Sequence, residues 1–336
     1  MRTINAKRSV AIVESPGLLD GLSRLFDLKS NTSICIIRSC GGLGDVLMIT
    51  PGLRALKDLY PEAVLTVAVD RHSTGDDQYY GILKNAPFID YLIDARYVER
   101  KKYDKVIDIS AVCISYERKV LPNINRIKLF ASHMGITQIE DYLPFYKIKN
   151  TEVIWAEKII APYKEKGPLI ALHSSSNDPK RNLPVKNQVD FIKSILTEVP
   201  NATIILFDFN RIFAGTDIVQ QFSNSIYEAS FTDVRQMAAL IGQCDVFVGP
   251  DSGPMHLAGA LSIPSVVTFG SIPPDARINY YPTHTGIRDT GLSCLGCWYE
   301  HCSIDFRCMK NILGPTLARA VLTKLRKCKL PIIDGD

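Results

Sequence analysis

Residues 246–271, VFVGPDSGPMHLAGALSIPSVVTFGS, hold two short apolar runs separated by a polar turn and a helix-like piece. The first run ends in Gly-Pro-Asp-Ser-Gly-Pro, and His256 follows Asp251 by five residues. Short apolar runs bounded by Gly and Pro are typical of buried strands. Buried strands on either side of a helix form a right-handed parallel unit. The stretch therefore predicts a strand, a helix and a strand, with a carboxylate, a hydroxyl and an imidazole where the first strand meets the helix.

The same alternation extends over most of the chain, in two blocks. Strand-like runs in the first block are SICIIRS (33–39), AVLTVAVD (63–70) and YDKVIDIS (103–110), with helical patterns in VLMITPGLRALKDLY and in 125–135; the second block has LIALHSSS (169–176) and ATIILFD (202–208), then a helix at 233–243. The pattern lapses at 145–167. A chain of 336 residues is also long for a single core.

Two Rossmann-like α/β domains with parallel sheets are therefore predicted. The boundaries are 1–150 for the first domain, with an extra N-terminal segment at 1–30, and 169–325 for the second. A linker or hinge at 151–168 joins them, and 326–336 is a tail.

Composition narrows the class of protein. With 46% hydrophobic and 22% charged residues, the composition is typical of a globular protein. It has no run of about 18 apolar residues, so no membrane-spanning helix is expected, and no signal peptide pattern opens it. We therefore expect a cytoplasmic protein. Residues 96–128 hold nine Lys and Arg against four Asp and Glu. That segment is either a solvated basic face or a docking surface for an anionic partner.

Three polar loops follow predicted strands, where open parallel sheets bind ligands. In RSCGGLGDVLMITP, Asp45 stands at the start of a helix, either as a cap or as a functional carboxylate. The glycine spacing fits neither the dinucleotide fingerprint nor the P-loop, which argues against NAD and against ATP hydrolysis. In HSSSNDPKRNLP (173–184), hydroxyls and the cations Lys180 and Arg181 suit a diphosphate. In the third loop, Ser252 and the helix start suit an anion, while Asp251 suits a sugar or ribose hydroxyl.

Together the loops offer a carboxylate from one domain and a diphosphate cradle from the other, as in a two-domain nucleotide-sugar transferase. The segments RSCGGLGDVLMITPGLRALKDLYPEA, VGPDSGPMHLAGALSIPSVVTFGS and CLGCWYEHCSIDFRCM resemble three signatures of glycosyltransferase family 9, the ADP-heptose:lipopolysaccharide heptosyltransferase group. The resemblance covers roughly residues 33–325.

This resemblance implies the GT-B fold, in which two Rossmann-like domains face a central cleft. The donor binds mainly to the C-terminal domain and the acceptor to the N-terminal one. It also implies inversion at the anomeric carbon without a catalytic metal, with Asp45 as general base and Lys180, or its neighbour Arg181, as the phosphate-binding cation. The full donor-binding set is Gly42, Gly44, Ser174, Ser175, Lys180, Arg181, Asp251, Ser252, Gly253, Pro254 and His256.

Four of the nine cysteines, Cys294, Cys297, Cys302 and Cys308, fall within fifteen residues. Close cysteines in a cytosolic chain favour a metal over disulfides. We predict a structural Zn site, or an iron site such as some autotransporter heptosyltransferases resembling this family have. Buried free thiols are the alternative.

The sequence thus predicts an enzyme that moves a heptose-like sugar from a nucleoside-diphosphate sugar, such as ADP-heptose in lipopolysaccharide biosynthesis, to an anionic acceptor. A lipid-linked sugar is the favoured acceptor, with peripheral contact to a membrane; a protein and a modified DNA base remain open. A reading from another class is a non-catalytic metal-binding or regulatory protein on a transferase scaffold. The presence of Asp45, Lys180 and Asp251 argues against it.

Overall fold

A computed structural model of the chain describes residues 31–70, 78–113, 124–230, 233–297 and 302–329. The predicted N-terminal segment 1–30 and most of the predicted tail lie outside these residues. The described chain builds two sheets, and every strand pair in them is parallel. This confirms the predicted α/β class.

The N-terminal half contains a four-stranded sheet. Its strands are β1 (Ser33–Arg38), β2 (Val64–Val69), β3 (Tyr91–Asp94) and β4 (Lys105–Asp108), in the order β3–β2–β1–β4. The helices α1 (Leu43–Met48), α2 (Thr50–Leu59), α3 (Gln78–Leu83) and α4 (Arg126–His133) accompany it. The central strand β1 is buried over its last five residues, so the loop that follows it starts from a rigid position.

The single helix predicted after the Gly-rich loop is two helices, α1 and α2, which meet at Ile49. Pro51 lacks an N–H, and inside a continuous helix its ring would clash with the carbonyl of Leu47. The Thr50 hydroxyl donates to that carbonyl instead, at 2.7 Å. The break leaves α1 as a short element that carries Asp45 and buries Val46, Leu47 and Met48 in the core.

The C-terminal half contains a six-stranded sheet. Its strands are β5 (Leu169–His173), β6 (Thr203–Phe207), β7 (Ile226–Glu228), β8 (Val246–Pro250), β9 (Ser265–Thr268) and β10 (His284–Ile287), in the order β10–β9–β8–β5–β6–β7. The strand order reverses between β5 and β8, and such a switch point is where open α/β sheets bind ligands. The loops after β5 and β8 therefore start side by side.

Three strands, β3, β7 and β10, were not predicted. All three are edge strands of three or four residues with partly exposed side chains. A strand this short leaves too few residues for an apolar run or a clear alternation, so periodicity carries no signal there.

The remaining helices are α5 (Asn150–Lys164), α6 (Val185–Glu198), α7 (Ile218–Gln221), α8 (Val234–Ile241), α9 (Gly253–Ala260), α10 (Asp275–Ile278), α11 (Arg307–Lys310) and α12 (Gly314–Lys329). Residues 151–168, given above to the linker, thus hold most of α5. Among the described helices, none combines the length and apolarity that crossing a bilayer requires.

The two halves share one apolar core. A single cluster of buried residues joins Leu47 and Phe130 of the N-terminal half to Met237 and Met255 of the C-terminal half. A second cluster, with Phe191 and Val321, covers the other face of the six-stranded sheet under α6 and α12. The shared core fixes the two halves against each other and so sets the width of the gap between their loops.

Arg235 on α8 strengthens this junction. Its buried guanidinium donates to the Gly81 carbonyl at 2.7 Å and to the Lys147 carbonyl at 2.8 Å. It also pairs with the Glu152 carboxylate, with Nη2 to Oε2 at 2.6 Å. One side chain of the C-terminal half therefore binds backbone from the N-terminal half and the start of α5.

Candidate active site

A cavity of about 810 Å³ lies between the two halves, within the usual range for small-molecule sites. The N-terminal half lines it with Gly42, Leu43, Gly44, Asp45, Met48, Gln78 and Arg126. The C-terminal half lines it with His173, Ser175, Ser176, Asn177, Asp178, Arg181, Phe209, Asp233, Val234, Met237, Asp251, Ser252, Gly253, Pro254, His256 and Arg277. The loops after β1, β5 and β8 thus meet at one space, as the sequence predicted.

Asp45 faces this cavity from the first loop. It is the third residue of α1 and not the cap, which is Gly42. Its Oδ2 accepts from the Gly42 amide at 3.2 Å and from Arg38 Nη2 at 3.1 Å, and its Oδ1 accepts from Arg126 Nη1 at 2.6 Å. Gly41 makes this geometry possible: its φ is +107°, and a Cβ there would lie 2.3 Å from Arg38 Nη2.

The two arginines decide the charge of Asp45. Burial by itself would raise the pKa of a carboxyl group, but Arg126 and then Arg38 outweigh it and hold the pKa of Asp45 well below its usual range. Arg38 is itself fixed, since its Nη1 donates to the carbonyls of Ile109 and Ser110, each at 2.8 Å. Asp45 is therefore a carboxylate at neutral pH.

The opposite wall is formed by the loop between β8 and α9. Ser252 is the N-cap residue of α9, yet its side chain makes no capping hydrogen bond. Its hydroxyl instead contacts Nδ1 of His173 at 3.1 Å and donates to the Pro250 carbonyl at 3.2 Å. The amides of Gly253 and Met255 at the start of α9 therefore have no acceptor in the Ser252 side chain, and an uncapped helix start of this kind favours an anion.

Asp251 is buried in the same loop between two arginines. Its Oδ2 lies 3.4 Å from Arg181 Nη1 and 3.6 Å from Arg277 Nε. Burial opposes ionisation, but Arg181 and Arg277 outweigh it and lower the pKa of Asp251. In the part of the chain that the structure describes, this oxygen accepts no hydrogen bond. It is therefore a charged, buried oxygen without a hydrogen-bond donor among the described residues.

His256 reaches across the cavity from α9. Its Nδ1 lies 2.6 Å from the Tyr281 hydroxyl, and burial lowers the pKa of His256 to about 3. Burial also raises the pKa of Tyr281, so both rings are neutral at pH 7. A Cβ on Gly44 would lie 2.4 Å from His256 Cδ2, so only a glycine allows this approach between the two halves.

The loop of residues 173–184 places only some of its predicted residues at the cavity. Ser175 and Arg181 line the cavity, but Ser174 and Lys180, predicted as donor-binding, lie outside that lining. The buried Ser174 hydroxyl donates to Asp208 Oδ1 at 2.7 Å. Residues Pro179–Arg181 form one 3₁₀ turn, in which successive side chains point about 120° apart. Of the two neighbouring cations, Arg181 is therefore the one whose side chain lines the cavity.

Several residues of the site were not predicted: Arg38, Arg126, His173, Phe209 and Arg277. Arg38 and His173 are the last residues of β1 and β5, the same strand-end position that pointed to the other loops. Arg126 was noticed only as part of a basic segment. Arg277 and Phe209 follow no motif that sequence reasoning could have used.

The cysteine cluster lies apart from this cavity. Burial raises the pKa of the Cys308 thiol, and Cys302 Sγ accepts from the Phe306 amide at 3.1 Å. Within residues 31–70, 78–113, 124–230, 233–297 and 302–329, no three His, Cys, Asp or Glu side chains converge closely enough to hold a metal ion. The thiols in this arrangement do not fit a tetrahedral site, so the metal at these cysteines stays a prediction.

Comparison with known proteins agrees with this geometry. Residues 220–306 match glycosyltransferase family 9 (heptosyltransferase). The chain is 23% identical over 317 residues to lipopolysaccharide heptosyltransferase 1 of Campylobacter coli, covering 77% of this chain and 89% of the relative. Its fold matches ADP-heptose lipopolysaccharide heptosyltransferase II of E. coli with a TM-score of 0.66 at 16% identity, over 89% of this chain and all (100%) of the other.

A third match is the iron-containing dodecameric glycosyltransferase TibC of enterotoxigenic E. coli, with a TM-score of 0.64 and 12% identity over 90% of this chain and 80% of that one. The structural matches show a shared two-sheet architecture, and the sequence matches run through both halves. The chain is therefore a glycosyltransferase with the GT-B fold, and its residues 220–306 are similar to family 9 (heptosyltransferase).

Proposed function

We propose that the protein transfers a heptose-like sugar from a nucleoside-diphosphate sugar, with ADP-heptose favoured, to a hydroxyl of a lipopolysaccharide-type acceptor. The donor binds to the C-terminal half, residues 169–325, and the acceptor to the N-terminal half, residues 1–150. Two of the proteins named above, from Campylobacter coli and E. coli, are lipopolysaccharide heptosyltransferases, which supports the choice of sugar and acceptor. The transfer inverts the anomeric carbon and needs no divalent metal.

One observation carries this proposal: Asp45 of one half and the Asp251–Gly253 loop of the other line the same cavity. Inversion requires the acceptor oxygen and the leaving diphosphate to lie on opposite sides of the anomeric carbon. A base and an anion site on facing walls supply that arrangement. Had the Asp45 side chain pointed to the outer surface, this chemistry would have had no base.

In the proposed step, the acceptor oxygen forms a bond to the anomeric carbon while the bond from that carbon to the diphosphate oxygen breaks. The leaving nucleoside diphosphate takes the electron pair of the broken bond. The acceptor proton passes to Asp45, which is ionised at neutral pH. General base catalysis of this kind contributes about 10²- to 10⁴-fold in rate.

The negative charge that develops on the leaving group is met by Arg181 and by the uncapped start of α9. Aligned N–H groups and a guanidinium stabilise such charge without reorganising during the reaction. These groups do the work that a divalent ion does in other sugar transferases.

The test is to incubate the purified protein with ADP-heptose, UDP-glucose and GDP-mannose in parallel, each with lipo-oligosaccharide lacking heptose. We expect transfer from ADP-heptose by mass spectrometry, undiminished by excess EDTA. NMR of the new linkage should show the anomeric configuration opposite to that of the donor. Retention of configuration, or loss of transfer in EDTA, would contradict the mechanism.

Other outcomes bear on the alternatives. Transfer to protein or to DNA with a modified base, but not to lipo-oligosaccharide, would keep the enzyme class and replace the acceptor. No binding of any sugar nucleotide by calorimetry would favour a non-catalytic scaffold.

A further inference from the structure

Two arginines hold Asp45, and they hold it in different ways. Arg38 is 2% exposed, its Nη1 is bound to two backbone carbonyls, and its guanidinium lies 4.7 Å from the centre of the Phe130 ring. Its side chain has no room to leave. The Arg126 side chain is 16% exposed, and it reaches Asp45 from the first residue of α4. Arg126 lines the cavity; Arg38 does not.

The two carboxylate oxygens are consequently unequal. Oδ2 faces the loop and is held by Arg38 and by the Gly42 amide. Oδ1 is held by Arg126 at 2.6 Å, on the side of the cavity. An acceptor hydroxyl that gives its proton to Asp45 has to approach Oδ1. It therefore competes with the Arg126 guanidinium for the cavity side of that oxygen.

We propose that Arg126 guards Asp45: it covers Oδ1 while no acceptor is present, and an anionic group of the acceptor draws it away. This inference rests on the proposed function, since it assigns the acceptor class for that same site. The acceptor carries a phosphate or a carboxylate close to the hydroxyl that is glycosylated.

A neutral hydroxyl could not displace Arg126 by itself. The contact between Arg126 and Asp45 is a charge-assisted hydrogen bond in a mostly buried place, which a neutral group replaces poorly. An anion on the acceptor gives the guanidinium a new charged partner as it leaves the old one. Arginine suits this exchange, since its five N–H donors can hold a phosphate or a carboxylate in a forked contact.

The guard has a chemical use. A bound donor with an uncovered Asp45 could lose its sugar to water: a water oxygen would attack the anomeric carbon, the diphosphate would leave, and Asp45 would take the water proton. With Arg126 in place, water has no open base. The protein thereby couples use of its base to arrival of the correct acceptor.

The charges around Asp45 also fix the expected pH behaviour. Arg38 from β1, Arg126 from α4, Arg277 from α10 and the neutral His256 from α9 face it. Removing Arg126 removes the largest of the influences that lower the pKa of Asp45. The acid limb of the plot of kcat/KM against pH reports protonation of Asp45 in the free enzyme, so it should move to higher pH in an Arg126→Gln variant.

The experiment compares Arg126→Gln with wild type in two reactions, transfer to lipo-oligosaccharide and slow hydrolysis of ADP-heptose without acceptor. We expect the KM for acceptor to rise about tenfold or more, as for loss of a charged hydrogen bond, and acceptor-free hydrolysis to become faster. Arg126→Lys should recover much of the acceptor affinity. Arg54→Gln is the matched control, since Arg54 pairs with Asp141 outside the cavity lining.

A merely structural role would lower both reactions together and leave the acid limb in place; that result would overturn the guard. A rise in the KM for ADP-heptose with an unchanged KM for acceptor would also overturn it, by placing Arg126 at the donor. If wild type neither transfers nor hydrolyses ADP-heptose, the proposed function is wrong, and the guard, which rests on it, is wrong with it.

The source of the anion is separated by treating the acceptor. Dephosphorylated lipo-oligosaccharide and carboxyl-reduced lipo-oligosaccharide are assayed with wild type and Arg126→Gln. The treatment that removes the relevant anion should weaken wild type to the level of the variant and leave the variant unchanged. If both treated acceptors serve wild type as well as the untreated one, the acceptor anion plays no part and the proposal is wrong.

Discussion

The loops that carry Asp45 and Asp251 are alike in construction and differ in how their carboxylates are held. Each follows a central strand, each leads into a helix, and each carboxylate is buried between two arginines that lower its pKa. Asp45 has three hydrogen bonds of 2.6 to 3.2 Å. Asp251 Oδ2 has only two looser ion pairs, at 3.4 and 3.6 Å.

The difference indicates different tasks. A carboxylate held by strong, replaceable bonds can be released for chemistry when a partner exchanges with one of them. A buried carboxylate oxygen without a hydrogen bond is costly unless a ligand supplies the donor. We infer that Asp45 serves the reaction and that Asp251 receives a hydroxyl of the donor sugar or ribose. Substitutions on the two sides should therefore separate the chemical step from donor binding.

The largest effect is expected for Asp45→Asn. The amide keeps the shape of the side chain but cannot accept the proton, so kcat should fall about 10²- to 10⁴-fold. The dissociation constant for ADP-heptose, measured by calorimetry, should stay within error of wild type. An Asp45→Asn variant with near-normal turnover would show that the residue only supports the turn.

Next comes the anion site of the opposite wall. Arg181→Ala should weaken binding of ADP about 10- to 100-fold, since it removes a charged donor that lines the cavity. Lys180→Ala is the matched control: it removes the same charge one residue earlier, outside the lining, and should change ADP affinity less than about threefold. Titration calorimetry of both variants decides between them. The reverse order of effects would mean that the 3₁₀ turn presents Lys180 when a ligand binds.

The two aspartates, and the neighbours Lys180 and Arg181, also show which features of the site can be predicted from the sequence. Asp45 and Asp251 were found because a strand end, a glycine turn and a helix start are readable patterns, and strand-end position decides which loops meet. Ser174 and Lys180 lie outside the cavity lining because the backbone of their loop turns these side chains away from it. Contacts within the loop, such as that from the Ser176 amide to Asn182 Oδ1 at 2.7 Å, hold the backbone in this conformation. Periodicity does not encode such contacts.

Arg126 shows the other limit. It reaches Asp45 from 81 residues further along the chain, and that pairing exists only once β1 and α4 are assembled. The fold followed from patterns within each segment, whereas the charge state of the base depends on which segments meet. The short edge strands β3, β7 and β10 were missed for the related reason that sheet pairing, more than their own residues, forms them.

A smaller effect, on the free energy of unfolding, is expected at the contact between Gly44 of the first half and His256 of the second. Gly44→Ala would place a Cβ 2.4 Å from His256 Cδ2, so the halves must shift or the ring must move. Overpacking of this kind costs about 1–3 kcal/mol in the free energy of unfolding. Gly215→Ala, where a Cβ would meet nothing within 4 Å, is the control for loss of glycine alone. Denaturant titration should show the loss for Gly44→Ala only; equal stability of both variants would mean that the two loops are free to separate.

The smallest expected effect is on the pH dependence of stability, which should differ between His256 on the Asp251 side of the cavity and Asp45 on the other side. His256 belongs to the Asp251 side, and burial lowers its pKa to about 3, whereas an unfolded histidine titrates near 6.5. Below about pH 6.5 the unfolded chain therefore binds a proton that the folded one does not, and stability falls as the pH is lowered. Between pH 7 and 5.5 this costs about 1 kcal/mol for one such residue.

A His256→Gln variant should lose that much less stability than wild type over the same interval, whatever its stability at pH 7. Asp45→Asn should not change this interval, because a carboxylate with a lowered pKa loses its contribution only below about pH 4. Chemical unfolding of the three proteins at both pH values measures the difference, and parallel losses in all three would mean that His256 is protonated in the folded protein.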